Sequence, residues 1–177
     1  MTWVGISGSW RYVLPELREA VQKKVTASLA AGHSIVTGGA LGVDYWATEI
    51  ALKFDPARLK VILPTSLATY TAHYQRRAAE GVISARQAQD LIRQLEAVAQ
   101  AGSLVEHPER PQVVSTSTYY RRNQDVVNAA DELFAFQVNT SAGTQDTVER
   151  ARLKGIPVVV FTFQATTAPP PPRDART

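Results

Sequence analysis

Three short segments of the chain have the residue types of loops that hold anions. They are SGSWR, GGALGVD and TSAGT, and each combines glycine with hydroxyl side chains or a carboxylate. Such loops expose backbone N–H groups, and serine and threonine hydroxyls add further donors. The chemistry they suit is the binding of a phosphate or a similar anion. The candidate binding residues are Ser7, Gly8, Ser9, Gly38, Gly39, Gly42, Asp44, Ser141, Gly143 and Thr144.

Each segment alone has a structural alternative. A glycine after a strand often serves a turn that needs positive φ, or close packing of the next helix. Asp44 lies near the start of a predicted helix, where a carboxylate can serve the helix N-terminus. Its functional alternatives are a hydrogen bond to a ribose hydroxyl or to the loop that shapes the site. The coincidence of three such loops favours a binding site.

The segment YYRRNQDVV adds two adjacent arginines and an asparagine in one helical turn. Arginine forks suit phosphates and carboxylates. Adjacent residues of a helix point in different directions, so one arginine at most faces a ligand, and we select Arg122 together with Asn123. The alternative is a solvated basic face, or an ion pair with Asp125 or Glu132.

Other catalytic patterns are missing from the sequence. There is no cysteine, no G-x-x-x-x-G-K-[ST] or G-x-G-x-x-G motif, no G-x-S-x-G elbow and no zinc-type histidine spacing. We therefore expect no metal and no cofactor, and no catalytic residue can be assigned. His73 is a candidate ligand contact with an exposed loop histidine as its alternative, and Asp146 and Glu149 are surface carboxylates by default.

Five apolar runs predict the strands that would carry these loops. Most are apolar on consecutive residues, which is typical of a parallel sheet buried on both faces. The predicted strands are 3–7, 34–38, 59–64, 132–138 and 157–163. The predicted helices are 15–31, 43–54, 84–100, 118–130 and 144–154. The alternation predicts an α/β fold with a mainly parallel sheet of five or more strands and helices on both faces.

The order of these elements places the three candidate loops together. Each loop directly follows a strand, and ligands of parallel sheets bind beyond the carboxyl ends of the strands. The 177 residues suit one domain, which we place at 1–164 with a helical insertion at about 65–118. Within it, helix 84–100 could be a dimer face, a lid or a cover for the sheet. The proline-rich tail, 165–177, is expected to be disordered.

The composition and charge narrow the class of protein. Hydrophobic residues make up 45% and charged residues 20% of the chain, and the net charge of +3 is compatible with an anionic ligand. No apolar run approaches the length of a membrane span, and the first residues lack the pattern of a signal peptide. We therefore expect a cytoplasmic protein with no membrane partner.

Four segments, in order over about residues 3–163, resemble the SLOG superfamily, which includes DprA/Smf and LOG proteins. The run SIVTGGALGVDYWATEIAL is similar to its G-G-x-x-G-x-D segment, and GISGSWR resembles its G-S-R strand end with the arginine one place later. YYRRNQDVV resembles the F-x-x-R-N segment, and SAGTQDTVERA resembles S-G-[ST]-x-x-T-x-x-x-A. The residues in matching positions of the last two segments are Tyr119, Arg122, Asn123, Ser141, Gly143, Thr144, Thr147 and Ala151.

The resemblance implies a Rossmann-like fold with a ligand site over these loops. It is closest to the DprA-like domain without accessory domains. Members bind nucleotides, nucleotide derivatives or single-stranded DNA, so we expect a nucleotide-like ligand, with single-stranded DNA as an alternative partner. LOG members hydrolyse the N-glycosidic bond of nucleoside monophosphates with a glutamate, so such a hydrolase is a further alternative, although Thr147 occupies the place of that glutamate here. Relatives commonly dimerise, which implies a homodimer.

Overall fold

A computed structural model describes residues 1–166 of the chain. The strands are β1 (Trp3–Gly8), β2 (Ser34–Thr37), β3 (Leu59–Ile62), β4 (Leu104–Val105), β5 (Glu132–Val138) and β6 (Val158–Phe163). The helices are α1 (Pro15–Ala30), α2 (Val43–Phe54), α3 (Leu67–Ala79), α4 (Ala85–Gln100), α5 (Thr116–Ala129) and α6 (Ala142–Lys154), and a 3₁₀ turn spans Pro56–Arg58. The predicted tail 165–177 lies outside the described residues except for its first two.

The six strands form one parallel sheet in the order β4-β3-β2-β1-β5-β6. The prediction of an α/β fold with a parallel sheet of five or more strands is confirmed. The additional strand is β4, which lies inside the segment predicted as a helical insertion and pairs with β3 through Leu104 and Val105. Two residues are too short a run for a sequence pattern to indicate a strand.

The helix ends follow local signals in the sequence. Ser84 caps α4, since its hydroxyl accepts the N–H of Gln87 while the Gln87 side chain accepts the N–H of Ser84. This is the reciprocal arrangement of a capping box. Gly155 ends α6 in the left-handed conformation, at φ 80°, which glycine adopts without steric cost. The five helices that had predicted bounds agree with the structure to within two residues, whereas α3 had no predicted bounds and lies in the segment predicted as a helical insertion.

The helices cover both faces of the sheet. Buried residues of α1, α2 and α4 join one core cluster, while α5 and α6 pack residues such as Val127 and Val148 on the other face. Four apolar residues of α4 are buried in the first cluster, namely Ala88, Leu91, Leu95 and Val98. This packing supports the role of a cover, and the roles of dimer face and lid stay predictions.

The strand order creates one crevice at the carboxyl edge of the sheet. The chain builds outward from β1 through β2 and β3 to β4, and then returns to the opposite side of β1 with β5 and β6. Elements leaving β1 and β5 therefore diverge, which is the geometry of a switch point where ligands of α/β sheets bind. No helix within residues 1–166 is long and apolar enough to cross a membrane.

Candidate functional site

A pocket of about 450 Å³ lies at this carboxyl edge. Its walls come from the segments after β1 and β2, from α3 and the loop that follows it, and from the N-terminal parts of α5 and α6. Most of the residues selected from the sequence meet in its lining. They are Ser7, Gly8, Gly38, Asp44, Arg122, Asn123, Ser141, Gly143 and Thr144.

Three of the selected residues lie behind the lining and serve the backbone. A Cβ at Gly39, whose φ is +67°, would lie 2.8 Å from the Leu63 Cδ2. A Cβ at Gly42, whose φ is +73°, would overlap the Ser9 carbonyl oxygen and lie 2.7 Å from the Trp10 Cα. Ser9 itself is buried, and its carbonyl accepts the N–H of the first residue of α2 at 3.2 Å. For these residues, turn geometry and packing explain the residue type.

Position 38 requires glycine because a side chain of the protein occupies the space that a Cβ would need. Arg122 donates from Nη1 to the Gly38 carbonyl, and a Cβ at Gly38 would overlap that guanidinium group. The same arginine lies 3.7 Å from Asp44 Oδ2 and donates from Nε to Asn123 Oδ1 at 3.2 Å. It is 8% exposed. Arg122 therefore braces the glycine loop from beneath, and its ion-pair partner is Asp44.

Asp44 holds the same loop from the other side. Its Oδ2 accepts the N–H groups of Gly38 at 3.1 Å and Ala40 at 3.3 Å. Burial raises the pKa of Asp44, and the Arg122 charge and the two N–H donors oppose that rise. Asp44 is not the cap of α2, because Gly42 occupies the N-cap position without a side-chain hydrogen bond, but its carboxylate does lie in the first turn of that helix. Asp44 acts on the loop that shapes the site.

Asp146 joins α5 to α6 in a network beside the pocket. Asn123 donates from Nδ2 to Asp146 Oδ2 at 3.0 Å, and Arg150 donates from Nε to the same oxygen at 2.8 Å. Thr147 lines the pocket, and its hydroxyl donates to the carbonyl of Gly143 at 3.0 Å. Asp146, the carboxylate nearest to Thr147 in the sequence, thus connects α5 to α6.

The N-terminus of α6 presents free donors to the pocket. Ser141 is its N-cap residue but makes no side-chain cap, in contrast to the capping serines of α3, α4 and α5. Within residues 1–166, the N–H groups of Ala142, Gly143 and Thr144 have no acceptor, and the Ser7 hydroxyl has no hydrogen-bond partner. A Cβ at Gly143 would meet nothing within 4 Å. This end of the pocket can therefore donate several hydrogen bonds to an anion.

The opposite wall was largely missed by the sequence patterns. It includes Arg77 of α3 together with Val82 and Ile83 of the following loop, and Trp10 lies at the rim. Besides the candidate His73, the basic run QRR at 75–77 was an available signal, but it does not indicate which arginine faces inward. His73 does line the pocket. Burial and the charges of neighbouring arginines lower the pKa of His73.

Tyr74 and Tyr119 line the pocket at this wall, and Tyr70 is fully buried beside Tyr74. The hydroxyls of Tyr70 and Tyr74 are 3.3 Å apart, with the rings edge to face. The Arg122 guanidinium carbon lies 5.3 Å from the centroid of the Tyr119 ring. Burial raises the pKa of all three phenols, so they remain neutral at physiological pH. In the described part of the chain, no cluster of three His, Cys, Asp or Glu side chains could hold a metal ion.

Comparison with known proteins gives structural matches alone. No family model matches the sequence, and no curated protein matches it. DNA processing protein A from Helicobacter pylori, described for its single-stranded DNA binding mode, superposes with a TM-score of 0.72 at 22% identity, over 94% of this chain and 68% of that chain. The fold is DprA-like.

Two further solved structures share the DprA-like fold at lower similarity. A molybdenum cofactor binding protein from Rippkaea orientalis has a TM-score of 0.59 at 17% identity, over 92% of this chain and 77% of that one. The structural-genomics target TM1055 has a TM-score of 0.54 at 16% identity, over 89% and 72% of the two chains. The DprA-like fold thus recurs among proteins whose described ligands differ, so the ligand has to be argued from the pocket.

Proposed function

We propose that the protein binds a nucleotide or a phosphorylated nucleotide derivative in the carboxyl-edge pocket. The observation that carries the proposal is the unequal chemistry of its two ends. One end gathers free backbone N–H groups and hydroxyls, and the other is lined by aromatic and apolar side chains. A nucleotide has the same polarity, with a phosphate at one end and a flat base at the other.

In this proposal the phosphate binds at the N-terminus of α6. Three consecutive N–H groups, the positive end of the helix and the Ser7 hydroxyl would surround one phosphate. The buried Arg122 and Asp44 form an ion pair under the glycine loop that follows β2, so their charges oppose each other there. We therefore assign phosphate binding to backbone donors, with Arg122 acting on the shape of the loop.

In this proposal the base binds against the wall formed by α3 and the start of α5. Along the chain α3 follows β3 and α6 follows β5, and these two strands are three strand spacings apart, which amounts to about 14 Å. The pocket volume of about 450 Å³ lies in the usual range of small-molecule sites. An extended nucleoside monophosphate would therefore reach from the α6 N-terminus to the aromatic wall.

The Gly143→Glu variant tests the proposal. Its side chain enters open space, and a carboxylate in the first turn of a helix is favourable for stability. It would repel a bound phosphate, so we expect affinity for nucleoside 5′-monophosphates to fall about tenfold or more. Calorimetric titration with the four common monophosphates measures the change, and Gly143→Ala, which adds no charge, should retain wild-type affinity.

Two results would contradict the proposal. In the first, none of the monophosphates binds the wild-type protein. In the second, Gly143→Glu binds as tightly as Gly143→Ala. Thermal melting of both variants establishes that each is folded before its titration is interpreted.

Single-stranded DNA binding is the second candidate, and Trp10 supports it. Trp10 is 39% exposed at the pocket rim, with the Arg11 guanidinium carbon 4.9 Å from its ring centroid. Exposed aromatic rings beside arginines are stacking platforms for single strands. The similar structure from Helicobacter pylori is described as binding such DNA.

If DNA binds at this rim, Trp10→Ala should weaken oligonucleotide binding by about 1–3 kcal/mol. Phe54→Ala is the matched control, because Phe54 is also exposed and lies beneath the arginine Arg58, but does not line the pocket. Mobility shifts at two salt concentrations measure both variants, since phosphate contacts make affinity fall steeply with salt. Equal effects of the two substitutions would exclude the rim as the DNA site.

A further inference from the structure

We propose that Arg77 recognises the base bound in this pocket through two adjacent acceptors, and so selects guanine and cytosine over adenine and uracil. The inference rests on the proposed nucleotide function and assigns the ligand class of that same site. It follows from the free donors of Arg77, from the apolar surroundings of that side chain and from the hydrogen-bonding pattern of the bases.

Arg77 presents a partly used guanidinium fork to the pocket. Its Nη1 donates to Glu80 Oε2 at 2.9 Å. Among residues 1–166, its Nε and Nη2 have no acceptor. The side chain is 42% exposed and lines the pocket. A planar fork with free donors on two nitrogens matches two acceptors that lie side by side on a ligand.

Guanine and cytosine each offer such a pair of acceptors. The O6 and N7 of guanine lie next to each other, and arginine binds them in a bidentate manner. The O2 and N3 of cytosine are likewise neighbouring acceptors. Adenine places an amino donor beside N1 and N7, which would oppose the N–H groups of arginine, and uracil places its N3–H donor between its two carbonyl oxygens. The fork of Arg77 therefore favours guanine and cytosine over adenine and uracil.

The surroundings of Arg77 favour a base over a second phosphate. Tyr74, Val82, Ile83 and Tyr119 line the same wall and provide flat or apolar contacts. A phosphate would lose hydration against such groups without enough donors to replace it. His73 lines this wall too, and burial together with Arg76 and Arg77 lowers the pKa of His73, so it adds no charge at neutral pH.

Calorimetric titration of the wild-type protein with GMP, AMP, CMP and UMP tests the inference. We expect GMP and CMP to bind about 10- to 100-fold more tightly than AMP and UMP, the range that one bidentate arginine contact supplies. Arg77→Gln and Arg77→Lys should both remove the preference, because glutamine loses the charged fork and lysine keeps the charge without the fork. Arg76→Gln is the matched control, since Arg76 also approaches Glu80, at 3.8 Å, but does not line the pocket.

The outcomes separate this inference from the function on which it rests. If no monophosphate binds, the proposed function and the inference both fail. If all four bind with similar affinity, nucleotide binding stands and the assigned base preference is wrong. If GMP and CMP are preferred but Arg77→Lys or Arg77→Gln keeps that preference, another residue recognises the base and the role of Arg77 is wrong.

Discussion

Replacing Arg122 with leucine is expected to lower the free energy of unfolding by about 3–5 kcal/mol at neutral pH. The substitution removes the partner of Asp44, which is 7% exposed, and leaves a buried carboxylate without a compensating charge. It also removes the donor to the Gly38 carbonyl. Both changes act on the loop that forms one wall of the pocket, so nucleotide affinity should fall as well.

Urea unfolding monitored by circular dichroism measures this effect. Arg121→Leu is the matched control, because Arg121 is the adjacent arginine, is exposed and makes no ion pair within residues 1–166. Exposed substitutions of this kind usually change stability by about 0.5 kcal/mol or less. A similar stability loss in both variants would mean that the Arg122–Asp44 contact is not the cause.

The pH dependence of the stability of the Arg122→Leu variant tests whether Asp44 is the carboxylate that causes the stability loss. Burial already raises the pKa of Asp44 above its ordinary value of 3.8, and removing Arg122 should raise it further. A raised folded-state pKa means that the folded protein binds the proton more readily than the unfolded chain, so stability falls as pH increases through that pKa. The loss should therefore be larger at neutral pH than at pH 4. The additional change Asp44→Asn should remove this dependence.

Gly42→Ala is also expected to be strongly destabilising. It should lower the free energy of unfolding by about 3 kcal/mol or more. The residue combines φ +73° with ψ −124°, a region that side-chain-bearing residues rarely adopt. An added Cβ would also overlap the Ser9 carbonyl oxygen and lie 2.7 Å from the Trp10 Cα. Because both neighbours are backbone atoms, relief requires the turn between β1 and α1 to move.

Gly102→Ala separates backbone conformation from steric overlap. Gly102 has a similar φ of +74°, but a Cβ there would meet nothing within 4 Å. We expect Gly102→Ala to lower the free energy of unfolding by about 1 kcal/mol, the usual cost of a positive φ for a residue with a side chain. Chemical denaturation of both variants gives the comparison. Equal losses would show that conformation alone, without the contact to Ser9, determines the requirement for glycine.

The contacts of Arg122 and Gly42 change the interpretation of the glycine loop. Gly38, Gly39 and Gly42 suggested close approach of a phosphate to the backbone. In the structure their missing side chains make room for Arg122, for Leu63 and for the backbone at Ser9. Gly143 is the one loop glycine of the selected set whose Cβ position is open. The proposed phosphate position therefore lies at α6, and the glycine loop contributes shape.

Much of the fold follows from local patterns in the sequence. Consecutive apolar residues predicted β5 with its observed bounds, 132–138, and the capping serine before α4 predicted that helix to within one residue. These signals depend on near neighbours in the chain. β4 could not be predicted in this way, because two residues become a strand through pairing with Val61 and Ile62.

The sequence by itself determined an α/β fold with a parallel sheet and three loops at its carboxyl edge. Strand periodicity and helix signals depend on nearby residues, and the common direction of parallel strands brings their loops together. Only the tertiary structure decided the partners within the site. Arg122 is 84 positions from Gly38 and 78 from Asp44, so no local pattern could indicate that the arginine braces the loop. The inward direction of Arg77 likewise depends on how α3 packs, since the neighbouring Arg76 has the same chemistry and faces away from the pocket lining.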